Sequence, residues 1–169
     1  MAEETLTIRT ATAADLAAVD SLLSASYPAL LRKDYPPSVM VTAVPLIARA
    51  QPRLLASGSY YVVCTAEGEV AAAGGWTWTS PAGGLGPRDM AHVRHVVTDH
   101  RRVRQGLGRA LLSHAMDEAR RAGVGQLDCL STLTAQPFYA ALGFRSLGPV
   151  DIRLAPGILF PAMRMHRRL

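Results

Sequence analysis

Apolar positions along the chain alternate between a period near two and a period near 3.6, and the switches predict the order of elements. Leu6–Thr10 reads as a short strand, and Thr12-Ala-Ala-Asp15 as an N-cap with an acid at its third position, opening a helix to about Ser24. Residues 27–58 are irregular, with prolines at 28, 36, 37, 45 and 52; a helix over roughly 38–50 would be kinked or broken by Pro45. Two β-rich runs, 59–65 and 69–79, flank the turn Ala66-Glu67-Gly68 and read as a hairpin, followed by a glycine/proline loop at 80–88. A strand is expected at 91–98. The next run places Leu107, Leu111, Leu112, Ala115, Met116 and Ala119 on one helical face, with Arg109, Ser113, Asp117 and Arg120 opposite. That helix, 106–122, ends at Gly123, and Asp117 and Arg121 are expected to pair across one turn. Strand 126–131, a short helix 136–142 stopped by Gly143, and strands 144–154 and 159–167 around Ala155-Pro156-Gly157 complete the pattern. The order β-α-α-β-β-β-α-β-α-β-β predicts one mixed α/β domain over 1–169. Its central sheet is mostly antiparallel and flanked by helices, with one strand–helix–strand crossover.

Length and composition narrow the classes. A chain of 169 residues, 49% hydrophobic and 18% charged, can bury a sizeable core and has the balance of a globular protein. The start, MAEETLTIR, lacks an apolar segment and is not expected to be a secretory signal, and no apolar run approaches a membrane span. Cys64 and Cys129 sit in strand-like runs without metal-ligand spacing, so reduced core thiols, a cytoplasmic location and no metal are expected.

The net charge of +5 comes almost wholly from arginine, Lys33 being the one lysine. Four of the arginines lie between 101 and 109, beside Gly106 and Gly108 and between a β-branched run and a helical pattern. A strand that ends in a glycine-bearing loop at a helix start presents unpaired N–H groups and the positive end of the helix dipole, which together bind phosphate. The clustering favours a small polyanion. A nucleic-acid surface would spread its cations among aromatics, which make up only 6% of this chain.

Two segments resemble those of the GNAT-type, acetyl-CoA-dependent N-acetyltransferases. V-V-T-D-H-R-R-V-R-Q-G-L-G-R-A-L-L is similar to that family's Q/R-x-x-G-x-G/A pyrophosphate loop, and A-Q-P-F-Y-A-A-L-G-F (135–144) to its F-Y-x-x-x-G-F segment. The two lie about thirty residues apart with a strand between them. The departure is Val103, which stands where the family has Gln or Arg; Arg102 or Arg104 would substitute, or main-chain amides would suffice.

The resemblance implies that acetyl-CoA lies between splayed strands 91–98 and 126–131. Its pantetheine arm would follow the backbone of Val96, Val97 and Thr98. Its pyrophosphate would rest on the amides of Arg104, Gln105, Gly106, Leu107, Gly108, Arg109 and Ala110, with Phe138 nearby. It further implies an amine acceptor and, at family level, a homodimer, with no nucleic-acid or membrane partner.

A primary amine with a reference pKa of ~10.4 is neutral in about one molecule in ~2,500 at pH 7, a penalty of roughly 4.6 kcal/mol, so a base is useful. His92 lies fourteen residues before Gly106, where many family members carry glutamate, and a reference pKa of ~6.5 leaves it able to accept a proton. The alternative is a half-buried strand histidine. Strand parity puts His95 on the opposite face, making it the candidate if the register is reversed. Tyr139 matches the family's tyrosine near the CoA sulfur, as proton donor or hydrogen-bond donor. Trp76, Trp78, Tyr27, Tyr35 and Arg94 are candidates for the acceptor wall, built from 27–58 and 76–90. Core packing accounts for the tryptophans equally well, and Arg94 would either attract an acidic acceptor or bridge to Asp89. His100, His114 and His166 are expected at the surface. Neither motif contains a cysteine, which favours direct attack in a ternary complex over an acyl-enzyme. The absent glutamate at 92 and the valine at 103 leave a catalytically degenerate acyl-CoA-binding sensor or interaction module as the alternative. A nucleic-acid-binding protein is a weaker third.

Overall fold

In the computed structural model, residues 3–80 and 86–169 are described; the centre of the predicted 80–88 loop lies outside them. Seven strands form one sheet in the order β1-β2-β3-β4-β5-β7-β6. These are β1 (Thr7–Thr10), β2 (Tyr60–Cys64), β3 (Val70–Thr77), β4 (Met90–Thr98), β5 (Gln126–Thr132), β6 (Arg145–Ala155) and β7 (Ile158–Arg168). Every neighbouring pair is antiparallel except β4 and β5, which run parallel and are joined by the crossover through helix α5 (Leu107–Arg121). The expected mixed, mostly antiparallel sheet is therefore present.

The first helix starts as the sequence indicates. Thr12 and Asp15 form the reciprocal capping box, and Arg9 grips the Asp15 carboxylate at 2.8 Å, holding its pKa below the usual carboxylate value. The helix α1 (Leu16–Leu31) then runs past its expected end at Ser24, straight through Pro28. Its buried face continues beyond Ser24 through Ser26, Tyr27 and Leu31, and burial of that face outweighs the hydrogen bond that proline removes. The helix expected over 38–50 is broken near Pro45 into α2 (Pro37–Thr42) and α3 (Val44–Ile47), followed by the single-turn α4 (Pro52–Leu55). Each of these short helices carries proline in its first turn, where its missing N–H costs nothing.

Two cores flank the sheet. On one face, α5 and α6 (Gln136–Ala141) cover Tyr61, Val63, Ala91, Val93, Leu127 and Met165. On the other, α1–α4 cover Tyr60, Val62, Ala73, Val97 and Phe160. The six apolar residues expected on α5 are all buried. The ion pairs on its outer face are Asp117–Arg120 and Glu118–Arg121, both one position closer than the expected Asp117–Arg121 pair. Leu111 is fully buried at the centre of the α5 contact. Leu111→Ala should cost roughly 2–5 kcal/mol and lower Tm by about 5–15 °C, which thermal denaturation followed by circular dichroism will measure.

Candidate active site

The sheet splits between its two parallel strands. β4 and β5 pair only at Met90–Gln126, Ala91–Leu127 and His92–Asp128. Beyond His92 the strands diverge, and one edge of β4 is left without a ladder partner. The opening leads into a cavity of about 1220 Å³, bounded also by α1, α3, α6, β6 and the start of α5.

At one end lies the arginine–glycine loop. Arg104 (φ 64°) and Gly106 (φ 77°) both adopt left-handed backbone, so the chain coils immediately before α5. Gly106 is the N-cap and offers no side chain, so the amides of the first turn face outward without a capping group. Gly108 meets the ends of β4 and α6: a Cβ there would lie 3.2 Å from both Phe138 Cε2 and Thr98 Oγ1. Arg101 is occupied by Asp99 and Arg102 by Glu4, whereas Arg104 and Arg109 make no ion pair among the described residues. Of the two arginines next to Val103, Arg104 is thus the one available to an anion. Ala110 is a correction to the expected set, because its amide already donates to Gly106 O at 3.0 Å to close the helix's first turn. Gln105 and Ala110 do not line the cavity; Val96, Val97, Thr98, Arg104, Gly106, Leu107, Gly108, Arg109 and Phe138 do.

His92 is buried at the apex of the split, with Nδ1 3.6 Å from Asp128 Oδ2. Asp128 in turn accepts a 3.0 Å hydrogen bond from Arg164 Nε. Burial holds the His92 pKa below its usual value; Asp128 opposes this, while Arg94 and Arg164 reinforce it. The ring is therefore neutral at pH 7. With Nδ1 turned to the carboxylate, Nε2 is left as the proton acceptor. His92 itself does not line the cavity, although its strand neighbours Val93, Arg94 and His95 do.

Strand alternation does not continue unbroken through His95. Gly75 pairs with Arg94 and Ala73 with Val97, so β4 carries an extra residue between them, and His95 takes φ 47°. The bulge breaks the alternation, and His95 lines the cavity. Burial pushes its pKa down to about 4. Its carbonyl accepts from Tyr60 Oη, and that of Val96 from Tyr27 Oη, so two buried tyrosines fix the bulge from the α1 side.

Tyr139 is buried and lines the cavity beside the Cys129 thiol. Desolvation raises its pKa well above 10, and Cys129 is pushed up to about 12 by the same cause. A phenol so weakly acidic suits hydrogen-bond donation better than proton transfer.

Tyr27 and Arg94 reach the cavity, as expected for an acceptor wall, but Trp76 and Trp78 do not. Trp76 sits opposite Val93 in the core beneath α5, and Trp78 stacks edge-on against it at the end of β3, 46% exposed. Tyr35 is also absent from the cavity lining; its hydroxyl donates to Pro161 O and stacks its ring on Phe160. Segment 27–51 does supply part of the wall, but β6 supplies the rest through Val150–Leu154, which nothing in the sequence singled out. Asp89 holds Gln126 rather than Arg94. His100, His114 and His166 lie outside the cavity. His114 and His166 are half-buried, on Tyr61 and Gln126 respectively. Among the described residues no His, Cys, Asp or Glu cluster suits a metal, and no helix is long and apolar enough to cross a membrane.

Comparison with known proteins accords with this geometry. Residues 38–167 match the Acetyltransferase (GNAT) domain family. The chain is similar in structure to a GCN5-related N-acetyltransferase from Rhodopseudomonas palustris (TM-score 0.74, 18% identity, covering 100% of this chain and 99% of that one). It is also similar to the PaiA N-acetyltransferase from Thermoplasma acidophilum, solved in complex with coenzyme A (TM-score 0.69, 12% identity, covering 98% and 99%). A third similar structure is a GCN5-related N-acetyltransferase from Kribbella flavida (TM-score 0.62, 24% identity, covering 97% and 98%). A search of curated proteins by sequence returned no match. The chain belongs to the GNAT acetyltransferase family, and it is a transferase of the acyl-transferring class.

Proposed function

We propose that the protein transfers the acetyl group of acetyl-CoA to a primary amine by direct attack, with His92 as the base. The observation that carries this reading is the coincidence of three features at one split in the sheet: an unpaired β4 edge, an uncapped helix start flanked by Arg104 and Arg109, and a neutral histidine held by a carboxylate at the apex.

The fit of the cofactor rests on the backbone. Left-handed Arg104 and Gly106 turn the amides of Leu107, Gly108 and Arg109 outward for a pyrophosphate, and the bare Cα of Gly108 lets Phe138 and Thr98 pack closely against the helix start. When bound, acetyl-CoA supplies an activated acyl thioester. His92 Nε2 takes the proton that the amine gives up through a water, since the ring does not itself line the cavity. Asp128 orients the ring and stabilises its cationic form, and Arg164 holds Asp128. Tyr139 donates a hydrogen bond toward the sulfur. Burial of the wall excludes bulk water that would compete with the amine.

The first test is binding and turnover with acetyl-CoA. At about 100-fold over its Kd, acetyl-CoA should raise stability by ~2.7 kcal/mol, read as a thermal shift, and a broad amine panel should release free thiol. No shift would sink the reading. A shift without thiol release from any amine would leave an acyl-CoA-binding module.

A further inference from the structure

Arg94 is a cation facing the cavity without a counter-charge. Its Nη1 donates to Thr77 Oγ1 at 3.1 Å and its Nη2 to Gln51 Oε1 at 3.0 Å, both neutral acceptors. It makes no ion pair among the described residues, and residues 1–2 and 81–85 contain no acid in their sequence. Asp151, the carboxylate of the cavity lining, is exposed on β6 and does not reach it. A guanidinium carries five N–H donors, so most of this one's hydrogen-bonding capacity is unspent. Burial of half such a group is costly unless an anion completes it, and desolvation accordingly lowers its pKa.

The position of the guanidinium is specific. Thr77, which holds it, is the register partner of His92 across β3 and β4. The hydrogen bond to Thr77 therefore folds the Arg94 side chain back alongside His92, which senses it as a neighbouring positive charge. Gln51 anchors the other branch from the turn between α3 and α4. The cavity that this cation faces is lined in part by apolar side chains: Leu30 and Leu31 from α1, Leu46 and Ile47 from α3, Ile152 from β6 and Phe160 from β7.

We infer that Arg94 is a specificity-determining residue that binds the carboxylate of the acceptor, and that the acceptor is a free amino acid with an apolar side chain, its amine turned toward His92. This rests on the acetyl-transfer reading above. A carboxylate and an amine on the same carbon suit a cation and a base held side by side, and an apolar side chain suits the apolar parts of the cavity lining. A peptide N-terminus, which has an amide where the amino acid has its carboxylate, would leave Arg94 uncompensated.

The experiment compares L-leucine and L-phenylalanine with leucinamide, phenylalaninamide, isopentylamine and phenethylamine. Thiol release is followed in the wild type, Arg94→Ala and Arg94→Lys, and binding of the same compounds to the CoA-loaded protein is measured by calorimetry. Wild type should favour the acids by about 10- to 100-fold in kcat/KM, as expected for one hydrogen-bonded charge pair. Arg94→Ala should erase that preference through KM while leaving the Kd for acetyl-CoA unchanged, and Arg94→Lys should restore part of it. Turnover of amides or simple amines as good as that of the acids would overturn the assignment of Arg94 and leave the acetyltransferase reading intact. If no compound is turned over, calorimetry still decides: acids that bind no better than amides overturn it, and Arg94-dependent binding of the acids upholds it.

Discussion

Gly108→Val should fold and yet lose acetyl-CoA binding by at least about 100-fold, equivalent to ~2.7 kcal/mol. Gly108 is the second residue of α5, and a Cβ there already presses on Phe138 and Thr98 at 3.2 Å. Valine adds two more methyl groups at the point where β4, α5 and α6 converge, beside the amides that face the cavity. Calorimetry with acetyl-CoA gives the affinity, and thermal denaturation shows whether the fold survives. Gly106→Ala makes an informative contrast. A Cβ at Gly106 meets nothing within 4 Å, so that variant is penalised only by its φ of 77°, about 1–2 kcal/mol for a left-handed residue. Its cost should fall mainly on stability and loop conformation. A Gly108→Val protein that binds acetyl-CoA normally would show that the pyrophosphate lies elsewhere.

His92→Ala should lower kcat by about 10²–10⁴ with little change in the Kd for acetyl-CoA. The pH profile is the sharper readout. Burial holds the His92 pKa below its ordinary value of 6.5, and the proposed base would act in its unprotonated form, which is the form present at neutral pH. Wild-type kcat should therefore fall only as pH drops through a midpoint below 6.5. In His92→Ala that limb should vanish, and the rate should climb with pH as the amine itself deprotonates. Asp128→Asn removes the charge that opposes desolvation of the ring, so its limb should move to still lower pH while kcat falls. An unchanged rate and profile in His92→Ala would take the role from His92. A limb near pH 4 would then point to His95, whose pKa is about 4.

The elements were largely legible because α5 and the strands carry strong periodicity and glycine stops. The loop before α5 was legible too, since glycine and arginine cluster there within one short stretch. The differences share one origin, which is that periodicity is local and the cavity wall is assembled from distant segments. Pro28 argued for an early stop to α1, but buried Tyr27 and Leu31 outweigh one lost hydrogen bond. Alternation would put Val93 and Val97 on one face, and one inserted residue in β4 between Arg94 and Val97 sends them to opposite cores without any mark in the sequence. The paired tryptophans fitted a ligand wall and core packing equally well, and Trp76 fills the core under α5. Asp128 lies 36 residues from His92 and faces it only because β4 and β5 pair in parallel, and Arg164, 72 residues away, reaches Asp128 only because β7 pairs with β5.

The short seam between β4 and β5 bears on how the molecule opens. Three residue pairs join the two parts of the sheet there, whereas β6 and β7 pair along nearly their whole length. The backbone ladder between strands β1–β4 and strands β5–β7 is therefore short, and the two parts are joined mainly by the side-chain core beneath α5 and α6. Any ligand seated in the split touches both parts, so the act of binding is also the act of latching them together. Amide exchange at the inner edges of β4 and β5 is where that latch registers first.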